Sequence, residues 1–139
     1  MKYLKIYTDG GSRGNPGPGA IGIVIKNKNG QIVFQAGKTI GRATNNQAEY
    51  RALITALEWL KKNASDVKRL DFLLDSKLVV FQMRGKYKIK SPKIRPLWQQ
   101  AKNLEFCLGA KINYHLIPRS LNYEPDLLLN QALDQPNTR

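Results

Sequence analysis

The chain has 139 residues, 42% of them hydrophobic and 24% charged, which is ordinary for a globular protein and long enough for a substantial buried core. Its 23 Lys and Arg against 10 Asp and Glu leave a formal charge of +13, so the composition points to a polyanionic partner, nucleic acid ahead of a membrane surface. No apolar run approaches the ~20 residues of a membrane span. The apolar stretch in Met1-Lys2-Tyr3-Leu4-Lys5-Ile6 is too short for a signal peptide. A lone cysteine, Cys107, excludes an internal disulfide and a cysteine-based zinc cluster. The expectation is a single domain over 1–139, monomeric, in a reducing cytoplasm, with about 135–139 a frayed tail.

Residues 3–9 alternate as a strand does and end on Asp9. Gly10, Gly11, Gly14, Gly17 and Gly19 follow, with Pro16 and Pro18 among them. A carboxylate beside backbone that no side chain shields suits a metal or a closely approaching polyanion. Taken alone, the stretch reads equally well as a Gly-rich hairpin whose Asp caps a turn. Residues 20–26 predict a second strand, Asn29-Gly30 a hairpin turn, and residues 31–40 a third strand, completing an antiparallel meander.

The period then changes. Thr44 and Gln47 are spaced as a capping box, and Leu53, Ala56, Leu57 and Leu60 form a helical stripe that reaches Glu49 when extended back one turn. Residues 70–74 read as a buried strand that ends at Asp75, before a short helix over 78–81; a carboxylate there sits where ligand chemistry is usual in α/β sheets. Arg84, Lys86, Lys88, Lys90, Lys93 and Arg95 make a basic segment, and its alternation predicts Lys86, Lys88 and Lys90 on one side. A helix follows, with Pro96 in its first turn, a stripe of Leu97, Ala101, Leu104 and Leu108, and Gly109 as its C-cap. Cys107 lies beside the stripe and is expected to be a packed thiol. Residues 111–117 form the last strand and residues 125–133 the last helix. The order β-β-β-α-β-α-α-β-α implies an α/β fold whose first three strands pair antiparallel and whose later two join in parallel.

Four acids stand at element ends or on core stripes: Asp9, Glu49, Asp75 and Asp126. The other six, Glu58, Asp66, Asp71, Glu105, Glu124 and Asp134, read as solvated. If the first set converges, two unit charges at 4 Å repel by roughly 4 kcal/mol at an effective dielectric near 20, and three or four cannot all stay ionised unaided. A divalent cation relieves this, and oxygen-only ligands favour Mg²⁺ or Mn²⁺ over zinc. Two ions about 4 Å apart would stabilise both the attacking and the leaving oxygens of an in-line phosphoryl displacement.

Four stretches, in order, closely resemble the type 1 ribonucleases H: Thr8-Asp9-Gly10-Gly11 with Gly14-Asn15-Pro16-Gly17-Pro18-Gly19; Thr44-Asn45-Asn46-Gln47-Ala48-Glu49; Asp75-Ser76-Lys77-Leu78 with Gly85-Lys86-Tyr87-Lys88; and Arg119, Asn122, Asp126, Asn130 and Asp134. The resemblance implies a five-stranded mixed sheet in the order 3-2-1-4-5. It implies two Mg²⁺ (or Mn²⁺) ions ligated by Asp9, Glu49, Asp75 and Asp126, with Asp9 and Asp75 bridging or holding the ions, Glu49 nearest the 2′-hydroxyl and Asp126 on the ion that positions water. It implies hydrolysis of the RNA strand of an RNA/DNA hybrid to 5′-phosphate and 3′-hydroxyl ends; double-stranded RNA is a further candidate partner. It also places Gly11, Asn15, Asn45 and Asn46 near ribose 2′-hydroxyls, the groups that distinguish RNA from DNA, and Thr44 near a DNA phosphate. Helix capping is the plainer role for Asn45 and Asn46.

The chain departs from the family pattern in places. Arg119 stands in the loop where many members carry a mobile histidine; it could stabilise phosphate charge but not shuttle a proton near neutral pH. His115 reads as a structural strand residue. Pro125 precedes Asp126, and Leu128 with Leu129 imply a last helix standing farther from the sheet. The segment over 85–92 is too short for the extra helix and basic protrusion of some members, leaving Lys86, Lys88 and Lys90 to hold the hybrid. Two other readings stand beside this one: a hybrid-binding module without catalysis, and an integrase-like or junction-cutting nuclease of the same architecture.

Overall fold

The computed structural model describes residues 2–135. The frayed tail expected over 135–139 lies, but for Gln135, outside them. Five strands form one sheet: β1 (Tyr3–Ser12), β2 (Gly17–Asn27), β3 (Ile32–Ala43), β4 (Arg69–Leu74) and β5 (Lys111–Leu116), in the order β3-β2-β1-β4-β5. β1 pairs antiparallel with β2 and parallel with β4, and β4 pairs parallel with β5. The helices are α1 (Asn45–Asn63), α2 (Lys77–Met83), α3 (Arg95–Leu108) and α4 (Tyr123–Asp134). No helix among the described residues is long and apolar enough to cross a membrane.

Local signals account for the element ends. The Thr44 hydroxyl accepts from the Gln47 N–H at 3.1 Å, and the Gln47 side chain accepts from the Thr44 N–H at 2.9 Å, so the capping box is complete. Gly30 turns the β2–β3 hairpin at φ 81°, and Gly109 ends α3 at φ 64°. The first strand runs past Asp9, against expectation: Gly10, Gly11 and Ser12 pair with Ile21, Ala20 and Gly19. Ladder hydrogen bonds need no side chain, so glycines hide a strand from hydrophobic periodicity without breaking it.

Residues opposite each other across a strand pair share a face. Ile6 with Ile25, and Gly10 with Ile21, face α1, which closes the main core with Leu53, Leu57 and Leu60. Asp9 pairs with Gly22 on the other face, under α4. A Cβ at Gly22 would stand 1.9 Å from the Pro125 carbonyl oxygen, and one at Gly37 would stand 2.4 Å from that of Leu128. The last helix therefore sits tight on the sheet, correcting the expectation from Leu128 and Leu129. Two side-chain-free positions let the helix backbone approach, and Leu127 turns outward, 55% exposed.

Two other expectations are corrected. Asp71 is 5% exposed rather than solvated, because it sits mid-strand on β4, flanked by Lys5 on β1 and Asn113 on β5. Cys107 is exposed rather than packed. It falls one position off the buried stripe of α3, where Ala101 and Leu108 point inward.

Candidate active site

Three elements bring acids together. Asp9 comes from β1, Glu49 from the first turns of α1, and Asp75 follows the last residue of β4. Each offers an oxygen within 4.8 Å of the others. α1 can approach because Gly10 has no side chain: a Cβ there would lie 2.1 Å from the Ala48 carbonyl oxygen. The Gly10 N–H, buried but unshielded by any side chain of its own, donates to Glu49 Oε1 at 2.9 Å and fixes that carboxylate.

The cluster is buried and poorly compensated. Asp9 is 4% exposed and Glu49 7%. The Asp75 side chain is 3% exposed, and neither of its oxygens has a hydrogen-bond donor among the described residues. Burial, then the charges of Asp75 and Asp126, push the Asp9 carboxyl up to about 7, with Arg119 opposing. Burial and the charges of Asp9 and Asp75 raise Glu49 well above the usual carboxylate range, against the pull of the Gly10 N–H. Asp75 is raised too, chiefly by burial, with Arg119 working the other way. Such an arrangement binds either protons or a cation. The donors are all carboxylate oxygens, and the two buried oxygens of Asp75 accept no hydrogen bond, which fits a hard divalent ion.

Asp126 borders the same cleft, of about 570 Å³, and its charge is felt by both Asp9 and Asp75, although it lies outside the tight group of three. Its helix is anchored beside them. Asn122, fully buried, donates to the Thr8 carbonyl at 2.9 Å, one residue before Asp9. Pro125 takes a position inside the first turn of α4, where its missing N–H is harmless. Arg119, in a short 3-10 turn (Arg119–Leu121), sets its Nε 3.5 Å from Asp75 Oδ2 while staying 80% exposed. His115 points elsewhere, its Nε2 3.0 Å from Asp71 Oδ1.

The cleft wall is knitted from the glycine-rich loop and the start of α1. Asn45 Oδ1 accepts from the Ser12 N–H at 2.9 Å, and Asn15 Oδ1 accepts from the Asn45 N–H at 3.0 Å. Both side-chain oxygens are thus committed, leaving the amide NH₂ groups to face outward. At Gly11 the nearest atoms to an added Cβ would be 3.9 Å away, so packing does not demand glycine there. Asn46 lines this cleft and a second one of about 590 Å³, which also takes in Thr44, Lys88 and Lys90. Lys86 does not join them. It borders a separate hollow with Lys102 and Glu105, because the basic segment is irregular and does not alternate as a strand.

Arg13 gave no signal in the sequence. It clasps α4 through Asp134 at 2.7 Å and Asn130 Oδ1 at 3.3 Å, closing the glycine-rich loop over the helix that carries Asp126. Its partners are more than a hundred residues away, so no local pattern could have named it.

Comparison with known proteins agrees with this geometry. The family described as "Reverse transcriptase-like" matches residues 7–132. A bifunctional protein of Mycobacterium tuberculosis is 45% identical over 136 residues, 96% of this chain and 36% of that protein. A ribonuclease HI of Halobacterium salinarum is 45% identical over 130 residues, 92% of this chain and 63% of its own length. The chain thus spans about a third of the mycobacterial relative. Among solved structures, LC11-RNase H1 in complex with RNA/DNA hybrid is 38% identical with a TM-score of 0.90, covering 94% of this chain and 96% of that one. Adjacent strands β1 and β4 carry Asp9 and Asp75 to one cleft, the likeness to these proteins runs along nearly the whole chain, and the chain belongs to the type 1 ribonuclease H family.

Proposed function

We propose that the chain hydrolyses the RNA strand of RNA/DNA hybrids endonucleolytically, leaving 5′-phosphate and 3′-hydroxyl ends. The observation that carries this reading is the convergence of Asp9, Glu49 and Asp75 within 4.8 Å, buried and short of donors, on a chain of charge +13. Asp9, Glu49, Asp75 and Asp126 would hold two Mg²⁺ or Mn²⁺ ions, which supply the charge that activates water and steadies the leaving 3′ oxygen.

The remaining residues bind and orient. The free amides of Asn15 and Asn45, with Asn46 and the open backbone at Gly11, can read ribose 2′-hydroxyls, since an amide donates where a 2′-oxygen accepts. Thr44, Lys88 and Lys90 border the neighbouring cleft and suit the phosphates of the other strand. Lys86 borders a different hollow and is left out of that contact. Arg119 lies over Asp75 and contributes positive charge at the cleft mouth without taking or giving a proton.

The test is cleavage of end-labelled RNA in a hybrid, with Mg²⁺, Mn²⁺ and EDTA in turn, beside all-DNA and all-RNA duplexes. Cut RNA carrying 5′-phosphates only when metal and hybrid are both present is the expected result. Metal-independent binding without cleavage, or cutting of the DNA duplex, overturns the proposal.

A further inference from the structure

The carboxylates occupy one end of the sheet, and a second concentration of cations occupies the other. β1, β4 and β5 are parallel and begin side by side there: the Lys68 and Arg69 N–H groups donate to the Lys2 carbonyl at 3.2 and 3.1 Å, and the Lys111 N–H donates to the Lys68 carbonyl at 2.9 Å. β4 and β5 therefore open on basic residues, Arg69 and Lys111, and Lys2 immediately precedes β1, in rows roughly 4.8 Å apart. α1 runs down from Glu49 and brings Lys61 and Lys62 to the same end in its last turn. Lys2, Lys61, Lys62, Lys68, Arg69 and Lys111 are all exposed. The acids near them are Glu58, Asp66 and Asp71; Asp66 has a partner of its own, and Asp71 is buried with its charge met by Arg69, Tyr3, Asn113 and His115.

Two rulers give the separation from the candidate active site. Seven residues of extended strand from Lys2 to Asp9 span roughly 23 Å. Thirteen residues of helix from Glu49 to Lys62 span about 20 Å. A straight duplex lying across the carboxylates does not reach around to this pole.

We propose that this pole is a second nucleic-acid surface, which holds a separate duplex by its phosphates. Charge complementarity selects a polyanion, and cations spread over three strand starts and the end of α1 suit the phosphates of both strands of a duplex. Single strands need a row of free rings on which successive bases stack, whereas Tyr3 has Arg69 5.2 Å over its ring and its hydroxyl bound to Asp71, and the exposed Phe106 in the last turn of α3 offers one ring where a run of bases needs several. The surface reads no sequence, since it offers cations and no element shaped for a groove. Its role is to keep the protein on, or to bridge between, nucleic-acid segments, and it does not depend on hydrolysis at the other end.

The experiment is a titration of labelled DNA duplex against the wild-type chain and against the triple variant Lys61→Gln, Lys68→Gln, Lys111→Gln, in EDTA, over a range of salt. The variant should bind the DNA duplex about tenfold more weakly at low salt, with a log–log salt slope shallower by about 2–3 units. It should cleave a short hybrid at the wild-type rate, which also reports that it folds. Saturating a wild-type sample with unlabelled hybrid should leave part of the DNA-duplex binding in place. Equal affinity and slope in the two proteins, one-for-one competition by hybrid, or retention on anionic lipid vesicles with no second duplex bound, each overturns the proposal.

Discussion

Asp71 and Asp75 are four residues apart, on β4 and just past its end, and both side chains are buried. Their surroundings differ otherwise. Asp71 takes the Tyr3 hydroxyl at 2.7 Å, Arg69 at 3.2 Å, Asn113 at 3.3 Å and His115 at 3.0 Å. Burial alone would raise its carboxyl, but these donors outweigh burial and lower it. Asp75 has the exposed Arg119 guanidinium at 3.5 Å, faces other acids, and is raised, chiefly by burial. The difference is positional. Asp71 lies inside the sheet, between strands that supply partners on both sides. Asp75 lies where the strand has ended and its neighbours are the chemistry-bearing ends of other elements. Burial does not make a site; burial with too little compensation does.

The largest effect expected from breaking this contrast is on cleavage. Asp75→Asn should lower the rate of hybrid hydrolysis by at least about a thousandfold. Because it removes one of several repelling charges, it should raise the thermal midpoint in EDTA by a few degrees. Calorimetry and the labelled-RNA assay on one preparation test both signs, and a destabilised variant would show that the cluster is not strained.

Asp71→Asn should do the reverse: lose about 2–4 kcal/mol of stability, since four partners lose a shared charged acceptor that is itself buried, yet keep metal-dependent cleavage at temperatures where it is folded. Denaturant unfolding measures the first and the same assay the second.

The two carboxylate sites also pull in opposite directions with pH. Asp9, Glu49 and Asp75 hold protons more tightly folded than unfolded, so without metal the folded state binds the excess protons between the ordinary carboxylate value and, for Asp9, about 7. Stability from these groups is present at low pH and lost as pH rises through that window. Asp71, lowered, contributes stability above the ordinary Asp value that is lost on further acidification. Midpoints recorded from pH 4 to 8 in EDTA should therefore fall less with rising pH in Asp9→Asn than in wild type, and added Mg²⁺ should lift the wild-type midpoint most at the alkaline end.

The smallest effect is expected at the second cleft. Lys88→Ala with Lys90→Ala should flatten the salt dependence of hybrid binding by about 1–2 units, and adding Lys86→Ala should change it no further. A further drop would put Lys86 back beside the other two.

Local chemistry explains what could be read in advance. A capping box, an Asn-Gly turn and a left-handed glycine are short-range devices, so Thr44 with Gln47, Gly30 and Gly109 marked their elements correctly. Glu49 stood out because a carboxylate on an apolar stripe demands a partner. The mixed sheet followed from the order of elements. The length of β1 was hidden because Gly10 and Gly11 carry no periodic signal. The burial of Asp71 is not legible because most of its donors come from two other strands, and the side taken by Lys86 is not legible because an irregular loop obeys no alternation.

The amino-acid sequence by itself determined the order and kind of the strands and helices, that Glu49 lies on an apolar helix stripe and Asp75 just past a strand, and how strongly the chain favours a polyanion, for these follow from interactions within a few residues and from total charge. Only the tertiary structure decided which acids share a pocket and which are satisfied elsewhere, that Arg13 fastens the glycine-rich loop to α4, that Gly22 and Gly37 seat that helix, and that basic residues gather at both ends of the sheet. Those outcomes depend on which strands lie side by side, and the energy of a buried charge is set by neighbours that can be a hundred residues away along the chain.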